Sequence, residues 1–251
     1  MLQDIRVALT FLTRIPVPAG TNSGVQGSLA KAMWAFPLVG CVVGAAGGII
    51  FVAVSALSLP GVVAAIAAVA AMIGVTGALH EDGLADMADG AGGATRPQKL
   101  VIMKDSRIGT YGVIALLVII LLKVALVSAY ADQSGASAII SMFVVAGAAS
   151  RAMIVASSYA LRTARTGGLS SFAGRPSGAA VFIALALAAL IGFSILPSYG
   201  AILGIVGALF GGIAVMLIAR RIFSGQTGDV LGATQQIAEV GVYFGVLVAV
   251  S

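Results

Sequence analysis

Apolar runs long enough to cross a bilayer recur along nearly the whole of this 251-residue chain. A spanning helix needs about 20 apolar residues. Seven segments meet that need, at roughly 33–57, 60–80, 111–131, 135–160, 178–196, 199–222 and 231–250. The chain is 60% hydrophobic and 9% charged, against about 25% charged residues in soluble domains. The expected fold class is therefore all-α, a polytopic integral membrane protein of about seven transmembrane helices. No long polar block divides the chain, so residues 1–251 are read as one membrane domain. The seventh segment opens with polar residues and carries Glu239, which leaves its length and wetness open.

The charges orient the segments. Arg6, Arg14 and Lys31 precede the first span, Arg96, Lys99, Lys104 and Arg107 lie between the second and third, Arg162, Arg165 and Arg175 between the fourth and fifth, and Arg220 and Arg221 end the sixth. The connections near Ser58, Asp132 and Pro197 hold no Lys or Arg. Positive residues mark the cytoplasmic side, so the N-terminus and the basic loops are expected there. This bias accounts for the net charge of +5 without a nucleic-acid partner. Residues 1–18 carry apolar side chains at Leu2, Ile5, Leu9, Leu12 and Ile15, the spacing of an interfacial helix. Asp4 and Arg14 interrupt that stretch, which is not read as a signal peptide. The single cysteine, Cys41, excludes an intrachain disulfide.

Against this background "HEDGLADMADG", residues 80–90, stands out. It holds the only histidine, His80, and four of the nine acids, Glu81, Asp82, Asp86 and Asp89. Asp82, Asp86 and Asp89 follow the i, i+4, i+7 spacing that puts three carboxylates on one helix face. Their repulsion calls for a counter-ion, and an oxygen-rich donor set with no cysteine favours Mg²⁺ or Mn²⁺ over zinc. Mg²⁺ completes its shell with water and substrate phosphates, which points to phosphate chemistry. The structural alternative is a solvated helix end with the acids paired to Arg96 and Lys99.

Downstream, "IMKDSRIGTYG", residues 102–112, offers Lys104, Asp105, Ser106 and Arg107, then two glycines that permit close backbone approach. Cations beside a carboxylate–metal cluster suit a diphosphate, and topology signalling is the competing explanation. Asp229, in "GQTGDVLGA", is open between a metal or hydroxyl ligand and an N-cap. Lys123, Arg151 and Glu239 fall inside spans, as the floor of a site or as partners of one another. His80 is a candidate general base.

Taken together, "FLTRIPVP" (11–18), "HEDGLADMADG" (80–90), "IMKDSRIGTYG" (102–112) and "GQTGDVLGA" (225–233) resemble the cobalamin synthase family, the adenosylcobinamide-GDP ribazoletransferases. Lys123 and the Ser150–Arg151 pair also match. The resemblance implies a Mg²⁺-dependent enzyme (Mn²⁺ as substitute) of a bacterial cytoplasmic membrane. It would join adenosylcobinamide-GDP to α-ribazole or its 5′-phosphate and release GMP. Metal ligands would be Asp82, Asp86 and Asp89, with Glu81 behind them. His80, Asp82, Lys104, Asp105 and Arg107 would be catalytic, the general base being open among His80, Asp105 and the metal aspartates. Arg14, Arg96, Ser106, Arg151, Arg175, Gln226 and Asp229 would bind substrate. Membrane lipids, and other enzymes of the pathway on the basic face, are the further expected partners.

Two other classes are weighed. A CDP-alcohol phosphotransferase shares the logic of spaced aspartates, but residues 90–110 lack its further aspartates in their Gly and Arg frame. A divalent-cation transporter calls for carboxylates in mid-bilayer and commonly an internal repeat. Here only Glu239 is deep, and no repeat is found.

Overall fold

The computed structural model describes residues 1–17, 28–165 and 173–251. Its regular elements are helices, and the described residues contain only one isolated β-bridge, between Thr163 and Gln226. In chain order these are α1 (Leu2–Leu12), α2 (Ser28–Ala32), a 3-10 turn (Met33–Ala35), α3 (Phe36–Ser55), α4 (Gly61–Thr76), α5 (Leu79–Ala91) and α6 (Arg96–Ile102). There follow α7 (Thr110–Ala131), α8 (Ala136–Ala160), α9 (Gly178–Ile195), α10 (Ser198–Ile222) and α11 (Gly228–Val248).

Six helical segments among the described residues are long and apolar enough to cross a membrane, or seven if the bent pair α4–α5 counts as one. The expected all-α membrane architecture is therefore borne out. The seventh segment is a full 21-residue helix, beginning at Gly228 rather than near 231. Large side chains such as Phe182 and Phe210 face outward, as they do on a surface that meets lipid. The helices around the centre, α8 and α11, are the most enclosed.

Close helix approach explains much of the glycine. A Cβ at Gly40 or Gly44 of α3 would collide with the backbone of α8 at Gly147 or Phe143, and one at Gly207 of α10 with that of α11 at Gly241. Without a hydrophobic drive between helices in lipid, such small-residue contacts supply the packing.

The second expected span, 60–80, is corrected. Its helix ends at Thr76, where Gly77 (φ 64°) and Ala78 (φ 58°) both enter the left-handed region. The chain turns by 90° before α5 begins. Arg14 lies across this corner: its amide donates to the Val75 carbonyl (2.7 Å), and a Cβ at Gly77 would strike its side chain. We read α5 as lying outside the spanning segments. The N-terminal helix forms as expected but stops at Leu12, so Ile15 falls beyond it. Thr13 closes the helix by donating its hydroxyl to the Leu9 carbonyl (2.7 Å). Ala8 and Leu12 are buried, and the Trp34 indole N–H donates to Asp4 (3.1 Å), docking α1 on the bundle.

Candidate functional site

The aspartates of α5 share one helix, but they face different partners. Glu81 and Asp82 occupy its first turn, where the helix dipole favours negative charge. Gly83 sets α5 tightly on α11: a Cβ there would meet the Asp229 backbone at 2.9 Å, and one at Gly232 the His80 carbonyl at 3.0 Å. This approach brings Asp82, Arg165 and Asp229 to one cavity of about 150 Å³, together with His80. Asp82 is exposed, while Asp86 and Asp229 are half-buried. The Asp86 carboxyl is pushed up to about 7, first by burial, then by the neighbouring charges of Asp82, Asp229 and Asp89, with Arg165 opposing. Four carboxylates from two helices thus share one field.

The alternative pairing of these acids with Arg96 and Lys99 is not what the structure shows. Arg96 donates to the carbonyls of Phe223 and Ala164 (both 2.9 Å), clamping two loops together, and Lys99 donates to the Ala91 carbonyl (2.7 Å). Among the described residues, Asp82, Asp86 and Asp89 form no ion pair. Asp229 pairs with Arg165 (3.3 Å) and accepts from the Thr227 hydroxyl (3.0 Å). The N-cap of α11 is Thr227, so the capping alternative for Asp229 falls away.

Asp89 differs from its expected place. Its carboxylate accepts from the amides of Gly109 (2.7 Å) and Gly112 (2.8 Å), which makes it a cap on α7 from 20 residues upstream. A Cβ on either glycine would fall on that carboxylate. The two glycines therefore do permit a close approach, and the group approached is Asp89. Glu81 also leaves the aspartate face. It is buried and accepts from the Gln236 side chain (2.9 Å).

Behind the cavity lies a polar cluster that the apolar surroundings make costly unless paired. Lys123 and Glu239 form an ion pair at 3.0 Å, and Glu239 also accepts from Gln235 (2.7 Å) and Tyr243 (2.9 Å). Arg151 belongs here, away from the cavity that holds Asp82, with one nitrogen donating to the Gly147 carbonyl of its own helix. His80 stands in the wall between the two and lines both. Gln235 and Gln236 complete this cluster, and two adjacent amides in an apolar helix are a readable signal of it.

In the strap after α6, Asp105 and Arg107 pair at 2.7 Å, and the guanidinium holds the Asp105 carboxyl down at about 2. So low a pKa makes Asp105 a weak general base. Lys104 and Ser106 are exposed in the same strap. Arg175 donates to the Tyr159 carbonyl (3.0 Å) and stacks on its ring. The Gln226 side chain donates to the Ser158 carbonyl (3.1 Å), while its backbone bonds Arg162 and Ala164. These two residues line a separate cavity of about 410 Å³ with Arg162, so the structure does not bring them to the aspartates' cavity.

No three acidic, imidazole or thiol groups among the described residues converge closely enough to form a ready metal cage. The donor set still suits Mg²⁺, which takes one or two carboxylates and fills its octahedron with water and phosphate. Asp82 and Asp86, mutually repelling and without a cation partner, are suited to that task.

A family profile described as cobalamin-5-phosphate synthase matches residues 4–247. An adenosylcobinamide-GDP ribazoletransferase of Azorhizobium caulinodans is 43% identical over 258 residues, covering 99% of this chain and 96% of that protein. Those of Xanthobacter autotrophicus (43%; 98% and 96% covered) and Bradyrhizobium diazoefficiens (40%; 96% and 91% covered) are similar. No solved structure matches.

Proposed function

The chain belongs to the cobalamin-5-phosphate synthase family, and from that premise we propose the following activity. It transfers the phosphocobinamide group of adenosylcobinamide-GDP to a ribose hydroxyl of α-ribazole or its 5′-phosphate, and GMP leaves. This is the last step of nucleotide-loop assembly in cobalamin synthesis. The observation that carries the site is the cavity where Asp82 of α5 and Asp229 of α11 meet beside Arg165.

Asp82 and Asp86, with Asp229 as a third candidate, would hold Mg²⁺, for which Mn²⁺ is the natural substitute. When bound, the ion neutralises diphosphate charge and polarises the phosphorus. Arg165, already at the cavity, balances charge on the phosphates; Lys104 and Arg107 lie on the exposed strap outside the cavity lining, and Arg107 is already paired with Asp105. The attacking hydroxyl oxygen forms its bond to the cobinamide-side phosphorus as the bond to the bridging oxygen breaks. The hydroxyl proton passes to a carboxylate of the α5 face in preference to Asp105, which Arg107 keeps ionised. We place this face, with the N-terminus, on the cytoplasmic side of a bacterial inner membrane, a reading supported by the positive charge of the loops.

The test uses purified protein in detergent with adenosylcobinamide-GDP, α-ribazole and Mg²⁺, following GMP and completed corrinoid together. Both products are expected in equal amounts, abolished by EDTA. Absence of GMP with every divalent cation tried overturns the proposal.

A further inference from the structure

The cavity above Asp82 has two unlike walls. Its polar lining is Asp82, Arg165, Asp229 and His80. Among the described residues, α1, the 3-10 turn, α3 and α8 contribute the apolar side chains Phe11, Leu12, Met33, Phe36 and Ile154; Phe11 is half-buried and the other four lie buried behind it. Phe11 and Phe36 are stacked, with centroids 6.1 Å apart and planes 18° from parallel. The N-terminal helix is thus one side of the active site, and the bundle holds it there through Trp34 and Asp4.

Resting on the transferase reading above, we propose that this apolar wall is the subsite for the base of the acceptor nucleoside, a flat and largely apolar bicyclic aromatic. Three groups of the two substrates compete for the space. The corrin macrocycle is far too large for a cavity of about 150 Å³. Guanine is small enough in one dimension, but it carries donors and acceptors around its rim. The apolar lining would leave most of them unpaired, and a buried donor or acceptor without a partner is costly. The dimethylbenzimidazole of ribazole has a hydrocarbon edge and a single free ring nitrogen. A volume near 150 Å³ holds a single aromatic ring, so the methylated ring seats against Phe11, with Met33 and Phe36 buried behind it. The ribose then remains beside Asp82, Arg165 and Asp229, among the residues proposed to hold metal and diphosphate. This orientation delivers a hydroxyl to phosphorus and excludes water from the reacting side, which favours transfer over hydrolysis of the diphosphate.

The wall therefore sets acceptor specificity, and Phe11 and Ile154 are its specificity-determining residues. The test measures KM separately for each substrate in the wild type, Phe11→Leu and Ile154→Phe. Leucine keeps bulk at position 11 but removes the flat face; phenylalanine at 154 narrows the cavity. The KM for α-ribazole is expected to rise about three- to tenfold in Phe11→Leu and more in Ile154→Phe, while that for adenosylcobinamide-GDP stays within about twofold. In the wild type, the riboside of unsubstituted benzimidazole is expected to replace α-ribazole better than adenosine does. If Ile154→Phe does not accumulate, Phe11→Leu and the acceptor series decide. An active wild type with an unmoved acceptor KM in the variants, or a rise confined to the corrinoid KM, overturns the subsite alone. A wild type that releases no GMP with any acceptor overturns the transferase reading itself.

Discussion

Replacing Asp89 separates two roles that its sequence position does not distinguish. In the structure it caps α7 through two short bonds, 2.7 Å from Gly109 and 2.8 Å to Gly112, both partly buried. Bonds to a charged acceptor contribute about 1.5–3 kcal/mol each, and losing a helix cap typically costs about 1 and up to 2 kcal/mol. Asp89→Asn keeps one oxygen but turns an amide donor towards the other N–H. A loss of about 2 kcal/mol is therefore expected, and about 3 kcal/mol for Asp89→Ala, which strands both amides. For a chain of this size each kcal/mol lowers Tm by about 2–4 °C, so Asp89→Asn should melt roughly 4–8 °C below wild type. The assay is thermal unfolding in detergent, with activity measured well below the transition across a Mg²⁺ titration. The Mg²⁺ dependence is expected to stay near wild type while maximal turnover falls modestly as the strap loosens. An unchanged Tm with a KM for Mg²⁺ raised tenfold or more refutes the cap and makes Asp89 a ligand.

Other substitutions test the rest of the account. Asp82→Asn and Asp86→Asn should each lower turnover by about two orders of magnitude or more; both should insert and melt at or above the wild-type temperature, because each relieves repulsion among the four carboxylates. A raised Asp86 pKa of about 7 means that the folded protein holds a proton the unfolded chain releases, so metal-free stability falls as pH rises from about 4 through 7. Metal must displace that proton, and the KM for Mg²⁺ should climb by up to about tenfold per unit as pH drops below 7; a flat profile between pH 6 and 8 contradicts this. In the buried pair, Lys123→Met or Glu239→Gln alone should cost about 3–5 kcal/mol by stranding the partner, and the double variant less than the sum. Equal additivity in unfolding experiments would show that Lys123 and Glu239 do not depend on one another.

Hydropathy alone locates six of the seven expected spans, because a 20-residue apolar run has few alternatives in lipid. The i, i+4, i+7 rule likewise put Asp82, Asp86 and Asp89 on one helix. What it did not reveal is which group each carboxylate meets. The corner at Gly77 and Ala78 turns α5 out of the span, and a left-handed alanine leaves no signature in sequence. Asp89 finds the start of α7 across 20 residues, and Arg96 reaches the Phe223 carbonyl across 127. Such contacts depend on how helices are stacked, which periodicity does not encode. Glu81, by contrast, was partly legible. One residue from Asp82 is about 100° around the helix, which points Glu81 towards Gln236 and the buried cluster.

On the proposed reading, Asp82 and Asp86 of α5, with Asp229 of α11, would hold one divalent ion for a diphosphate. Titration of Mn²⁺ into the purified protein with GDP present, following free ion by electron paramagnetic resonance, reads this site. Wild type is expected to bind Mn²⁺ with an affinity that Asp82→Asn and Asp229→Asn each weaken by about tenfold or more, while Glu81→Gln and Asp105→Asn leave it near wild type. Equal Mn²⁺ affinity in wild type and Asp82→Asn would place the metal away from the aspartate face of α5.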